Sequence, residues 1–353
     1  MRIYTTVPTH DPCDAGRVFG ELEAIGYDGA FSFESKHDPF LPLAIAAQTT
    51  QRLQLGTAVA IAFARNPMVL ANVGYDLQVI TRGRFVLGLG SQVRPHIEKR
   101  FSETWSKPVA RMREMVQAIR AIWDAWEGRA TLDFRGEHYR HTLMTPAFDP
   151  GPNPYGPPRI FLGAVMPRMT ELAGELADGF LVHPFNTRTS LERLTLPALE
   201  RGLAKAGRTR ADLEIVGVTM VVTWTTEQEY TAARASLQEQ LAFYGSTPAY
   251  APVLECHGWG DLHPELNRLS KQGRWKAMSG LISDDIMQAI AVMRPRHEVA
   301  AVLRERLTGL VDAVSLVNSR HPDPGHFGDI VADLRAPMDV RLVSPLPDGS
   351  GPG

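Results

Sequence analysis

The chain has 353 residues, 44% of them hydrophobic and 22% charged, with 37 Lys and Arg against 39 Asp and Glu. Those proportions are those of a folded globular protein and exclude a disordered chain, a collagen or a coiled coil. The formal net charge of −2 leaves no basic excess to displace counterions, so no nucleic-acid partner is expected.

The longest apolar run, 56–64, stops at Arg65 and is half a membrane span. The opening MRIYTTVPTHDP has no apolar signal core. Cys13 and Cys256 are the two cysteines, which excludes a disulfide framework and a Cys-rich zinc site. A soluble, cytoplasmic protein that makes no use of a membrane is the expectation.

Short apolar strands alternate with amphipathic helical stretches along most of the chain. Strands are predicted at 2–7, 30–33, 53–60 and 84–89, separated by helices at 14–25, 41–50 and 67–80. Pro67 suits the first turn of the last of these, where a missing N–H costs nothing. Met112, Met115, Val116, Ile119, Ile122, Trp123 and Trp126 recur at three-and-four spacing and read as the core face of a long helix. Residues 131–139 read as a hairpin turning at Arg135-Gly136, and the proline-rich stretch 150–158 as an extended loop.

Four further strands follow at 159–163, 179–183, 214–223 and 313–317, with helices at 190–206, 227–244 and 328–334. Eight strands with intervening helices are the count of a (β/α)8 TIM barrel. Residues 245–311 exceed what one crossover needs. They are read as an insertion between strands 7 and 8, with helices near 284–292 and 297–307, forming a wall over the barrel mouth. One barrel domain over 1–337 and a disordered tail over 338–353 complete the expected organisation.

A dinucleotide fold fails on the third glycine: Gly88-Leu89-Gly90 is followed by Val93 and Pro95. His257 and His263 flank Asp261 without ligand spacing, so no metal is expected. Barrel chemistry sits at the C-terminal strand ends. The end of strand 2 is the richest, with Glu34, Lys36, His37 and Asp38. His37 is a candidate acid/base. Glu34 is open to three readings: general base, ring anchor or buried salt-bridge partner. Arg94, His96, Lys99 and Arg100 form a basic cluster after strand 4, either solvated surface or an anion-recognition site.

Several segments resemble the bacterial luciferase-like superfamily and, within it, the deazaflavin (coenzyme F420)-dependent oxidoreductases. They are LGTAVAIAFARNPMVLA (55–71), TRGRFVLGLGSQ (81–92) and LAGELADGFLVH (172–183), with 26–44 and 140–152 in support. The resemblance implies a luciferase-like barrel, a homodimer, and a flavin or deazaflavin at the C-terminal mouth. It places a non-proline cis peptide near Ala58-Val59, with Ala60 beside it, behind the ring. Ser91 and Gln92 would border the ring at strand 4. Gly163 and Ala164 at the end of strand 5 would contact the cofactor, and its phosphate would be held by backbone N–H groups at Val165 and Met166 and by His183, Pro184 and Phe185 after strand 6. His37 matches an acid/base histidine of sugar-phosphate-oxidising relatives, with Glu34 as its orienting partner. Phe63, Trp105, Trp224 and Trp259 are the expected apolar lining of the substrate pocket.

Two departures bear on chemistry. Relatives that oxidise a sugar phosphate carry Gly-Gly where this chain has Val165-Met166, and a catalytic Glu where it has Gln92. An amide cannot exchange a proton at neutral pH, so a glucose-6-phosphate substrate is not expected. The function implied is hydride transfer between F420 and a small organic substrate. An FMN-dependent monooxygenase using reduced flavin and oxygen is the alternative, and a non-catalytic flavin-binding barrel the second alternative.

Overall fold

A computed structural model describes residues 1–7, 11–317 and 324–336. The barrel strands are β1 (Arg2–Val7), β2 (Gly29–Ser32), β3 (Gln54–Thr57), β4 (Phe85–Gly90), β5 (Arg159–Ala164), β6 (Gly179–Val182), β7 (Glu214–Val222) and β8 (Ala313–Val317). All pair in parallel with their neighbours, and β8 returns to β1 with Ala313 opposite Arg2. The sheet therefore closes into the expected eight-stranded barrel, with helices outside. Closure removes the unpaired edges an open sheet would present.

Helix starts follow local chemistry. Asn66 accepts a hydrogen bond from the Val69 N–H and Pro67 opens helix Pro67–Ile80, as its sequence predicts. In helix Pro108–Trp126 the periodic Met, Ile, Val and Trp residues are all buried against the barrel. Each large side chain so buried stabilises the fold by about 2 kcal/mol. The hairpin differs in register: Phe134 pairs with His141 and Arg135 with Arg140, so the reversal covers 136–139. The Glu114 carboxylate accepts the N–H groups of Glu137, His138 and Tyr139 and sets the turn there. The helix after β2 ends at Ala46, shorter than expected.

Tyr4, Phe31, Val86, Phe161, Leu181, Val216 and Ala313 fill the barrel interior. Below them the Tyr4 hydroxyl lies 2.8 Å from Gln54 Oε1 and 2.9 Å from Glu214 Oε1. Glu214 is also paired with Arg2 and Arg159. The N-terminal end of the barrel is thus closed by packed and hydrogen-bonded side chains.

The insertion has its own core, including Leu254, Leu266, Met278, Ile286 and Met293. Helices Ala251–Glu255, Leu262–Lys271 and Trp275–Ser279 occupy a stretch for which no helix is predicted, although Leu262, Leu266 and Leu269 recur at helical spacing. A two-residue strand, Val292–Met293, pairs with the end of β7. Phe185 and Met220 of the barrel belong to the insertion core, which seats the insertion over the ends of β6 and β7. The tail expected to be disordered lies outside the described residues, as does the segment 318–321 that follows β8.

Candidate active site

The mouth of the barrel has a floor built around Val59. The Ala58–Val59 peptide is cis, where the resemblance placed it. Ala58 and Val59 are half-buried, as are Gly163, Ala164 and Val165, while Ala60 is buried. Neighbouring glycines make room for this segment. A Cβ on Gly88 would lie 1.7 Å from the Thr57 carbonyl oxygen. One on Gly90 would lie 2.5 Å from Val59 Cγ2, and one on Gly163 2.9 Å from Val59 Cγ1. The Thr57 hydroxyl donates to the Gly88 carbonyl at 2.6 Å and accepts from the Gly88 N–H at 3.0 Å. The Gly88-Leu89-Gly90 pattern therefore serves close backbone approach inside a barrel, not a dinucleotide turn. Ser91 and Gln92 follow at the rim, both partly exposed, with Gln92 at φ +60° and its side-chain oxygen accepting from the Val93 N–H.

The loop after β2 is held from two sides. Glu34 Oε2 accepts the Ile61 N–H at 2.8 Å and pairs with Arg65 Nη1 at 2.6 Å. The same guanidinium reaches Asp38 at 3.2 Å. Asp38 also accepts the Phe40 and Leu41 N–H groups at the start of helix Leu41–Ala46. On the other side, Arg100 donates to the Ser35 carbonyl at 2.7 Å. Of the three readings of Glu34, the geometry realises the buried ion pair, with Arg65 rather than His37 as partner. His37 stands exposed at the crest of this loop with Ser35 and Lys36. The basic cluster reaches the same loop through Arg100, while Arg94 is taken up by Glu98 one helical turn away.

The loops after β5 and β6 differ in what they leave free. Met166, the N-cap of helix Pro167–Leu176, makes no side-chain capping hydrogen bond. After β6, Thr187 and Ser190 close a capping box on each other. His183 faces the insertion: its Nδ1 accepts the Phe185 N–H at 3.1 Å and its Nε2 lies 3.0 Å from Tyr250 Oη. The ring stacks on Tyr250 at 4.4 Å and meets Tyr244 edge-on at 5.0 Å. Burial pushes its pKa down to about 3, so the imidazole is neutral. With the proton on Nε2 and donated to Tyr250, neither ring nitrogen has an N–H left for a phosphate. Phe185 is 1% exposed and packs in the insertion core. The side chains of His183 and Phe185 are thus engaged with the insertion, while Pro184 between them is part-exposed.

The four aromatic residues expected to line one pocket fall in three places, with Phe63 and Trp105 in contact and Trp224 and Trp259 packed against other rings. Phe63 is fully buried, meets Trp105 edge-on at 5.7 Å and lies 4.6 Å under the Arg111 guanidinium. With no exposed surface it cannot touch a substrate; it packs beneath the mouth instead. Trp259 stacks on His257 at 4.5 Å, and His257 Nε2 lies 2.8 Å from Thr187 Oγ1. Trp224 lines a pocket at the rim, with Tyr230 and Met293. Sequence reasoning missed Arg65, Tyr250 and the service of the glycines to Val59. The spacing of Gly88 and Gly90 on one strand face was the available signal for the last.

Comparison with known proteins places this geometry. Residues 4–313 match the model of the luciferase-like monooxygenase family, and the chain belongs to that family. An uncharacterized protein of Mycobacterium tuberculosis, Rv1360, is 55% identical over 293 residues, covering 83% of this chain and 86% of that one. The 5,10-methylenetetrahydromethanopterin reductase of Archaeoglobus fulgidus is 29% identical over 273 residues, or 74% and 76% of the two chains. Among solved structures, the coenzyme F420 dependent tetrahydromethanopterin reductase of Methanopyrus kandleri superposes with a TM-score of 0.75 at 20% identity, covering 94% of this chain and 96% of that one. That likeness confirms the luciferase-like TIM barrel.

Proposed function

We propose that this chain is an F420-dependent oxidoreductase acting on a small organic substrate, and that it works as a homodimer. The observation that carries the reading is the floor of the mouth. Val59 is seated against two strands stripped of Cβ atoms at Gly90 and Gly163, which leaves a low, apolar surface suited to a flat ring. The deazaflavin supplies the hydride chemistry at its C5 when bound. Ala58, Val59, Gly163 and Ala164 would support it from below. The backbone N–H groups around Val165 and Met166, at a helix start without a side-chain cap, would hold its phosphate. The closed capping box at Thr187 makes the β6 loop the poorer phosphate site. His37 is the proton carrier, held at the crest of its loop by the Arg65 clamp and by Arg100.

Support for F420 over FMN comes from the relative named for coenzyme F420 and from the cations of the rim. Lys36 and Lys99 are both exposed, on segments joined by the Arg100–Ser35 hydrogen bond. They suit an anionic oligoglutamate tail, which FMN lacks. Titration of the purified protein with F420 and, separately, FMN tests the reading by ring fluorescence. Micromolar or tighter F420 binding with weaker FMN is expected, and the Lys36→Glu/Lys99→Glu variant should weaken F420 more than FMN. Preference for FMN would move the protein to the oxygen-using monooxygenases, and binding of neither would overturn both readings.

A further inference from the structure

At the rim, beyond the end of β7, lies a pocket of about 330 Å3 whose contents the reaction above does not use. Its walls are Trp224, Tyr230, Met293 and Gln288, with the charged groups of Glu227, Asp284 and Arg294. The Trp224 and Tyr230 rings lie 4.7 Å apart, tilted by 59°, and both line the same space. The charges are unequally matched. Asp284 is neutralised by Arg234 at 2.6 Å. Arg294 donates to the Met293 carbonyl at 2.8 Å and stands 3.8 Å from Glu298. Among the described residues, Glu227 has no hydrogen-bond or ion-pair partner for its carboxylate.

We propose that this pocket binds an organic cation, an amine or quaternary ammonium group set against Trp224 and Tyr230 and faced by Glu227. An aromatic face attracts a cation through its quadrupole, and an unmatched carboxylate in the same space adds charge of the required sign. Glu227 opens helix Glu227–Gly245, where the helix dipole favours a carboxylate, but that position does not account for the two rings beside it. An anion is disfavoured because the one guanidinium of the lining already has a carboxylate near it. This binding does not rest on the reading of the mouth as the reaction site.

The test is calorimetric titration of the full chain, without cofactor, with choline and with its uncharged isostere 3,3-dimethylbutan-1-ol. Choline is expected to bind about tenfold tighter than the alcohol, the ratio of a partly desolvated cation–π contact. Trp224→Leu should cut that preference to about threefold, the share left to Glu227. Glu227→Gln should weaken choline about threefold while leaving the alcohol unchanged, with thermal melts confirming that both variants fold. Equal affinity for the two probes, no choline binding, or tighter binding of benzoate would overturn the proposal. Since F420 is absent from the cell, failure here leaves the deazaflavin reading intact, and the reverse also holds.

Discussion

Val59 shows how much of the mouth depends on single methyl-sized volumes. Its two methyl groups occupy space that a Cβ on Gly90 or Gly163 would invade. Gly90→Ala must push the Val59 side chain, the tip of a short residue, out of its place. The side chain is expected to move toward the mouth, where the ring is proposed to lie. The variant is therefore expected to fold with a modest loss of stability, about 1–3 kcal/mol, and to lose most of its affinity for the ring. Adding Val59→Ala should restore binding, since it removes the displaced methyl groups. Fluorescence titration of the single and double variants checks this; a double variant as defective as Gly90→Ala would show that Val59 is not the obstacle. At Gly88 no such rescue is available, because the atom met is the Thr57 carbonyl oxygen of the backbone.

Among elements, the loop after β6 is the joint between barrel and insertion, through His183–Tyr250 and Thr187–His257. The pKa of His183 is depressed to about 3 from an ordinary 6.5 by burial. The unfolded chain therefore takes up a proton that the folded one refuses between those values. Stability is complete above pH 6.5 and declines as the pH falls toward 3. Between pH 7.5 and 5 this group should cost about 1–2 kcal/mol. His141 and His257 are also lowered by burial and tilt stability in the same direction. The decisive quantity is thus the difference between wild type and His183→Gln in urea midpoints at the two pH values. A variant whose acid sensitivity equals that of wild type would remove His183 from the account.

The march of strands and helices was legible in the residues because each buried face repeats at its own period, as from Met112 to Trp126. Pro67 after Asn66 marked a helix start for the same local reason. The environment of His183 was not legible. Its neighbours Tyr244 and Tyr250 lie more than sixty residues away, one at the end of the helix Glu227–Gly245 and the other in the short turn Pro248–Tyr250, and no local pattern ties either to His183. Phe63 illustrates the same limit: an aromatic residue next to a strand end reads equally as pocket wall or as core. Only the packing of Trp105 and Arg111 against it decides for the core. The cis peptide came from the resemblance alone, since nothing in Ala58-Val59 itself announces it.

For the whole molecule, one surface feature bears on assembly. Leu41, Ile45 and Val69 are 63%, 40% and 51% exposed on neighbouring helices that begin just beyond the mouth loops. Exposed apolar residues on adjoining helices suit an interaction surface, and a second copy of the chain is the proposed occupant. Light scattering on a size-exclusion column should give twice the 39.0 kDa of the chain. Leu41→Glu combined with Val69→Glu should give the single-chain mass with the fold retained. A wild-type monomer at tens of micromolar would refute the proposed dimer.

The sealed floor around Tyr4, Glu214, Arg2 and Arg159 has a kinetic meaning. A vessel stoppered at its base has a single doorway, so whatever lies deepest must arrive first and depart last. A ring resting on Val59 would be trapped beneath any molecule stacked above it. Turnover would then be compulsory in order, the upper guest exchanging while the lower one stays. Excess product, standing in that doorway, would slow the exit of the lower guest as well as its own replacement.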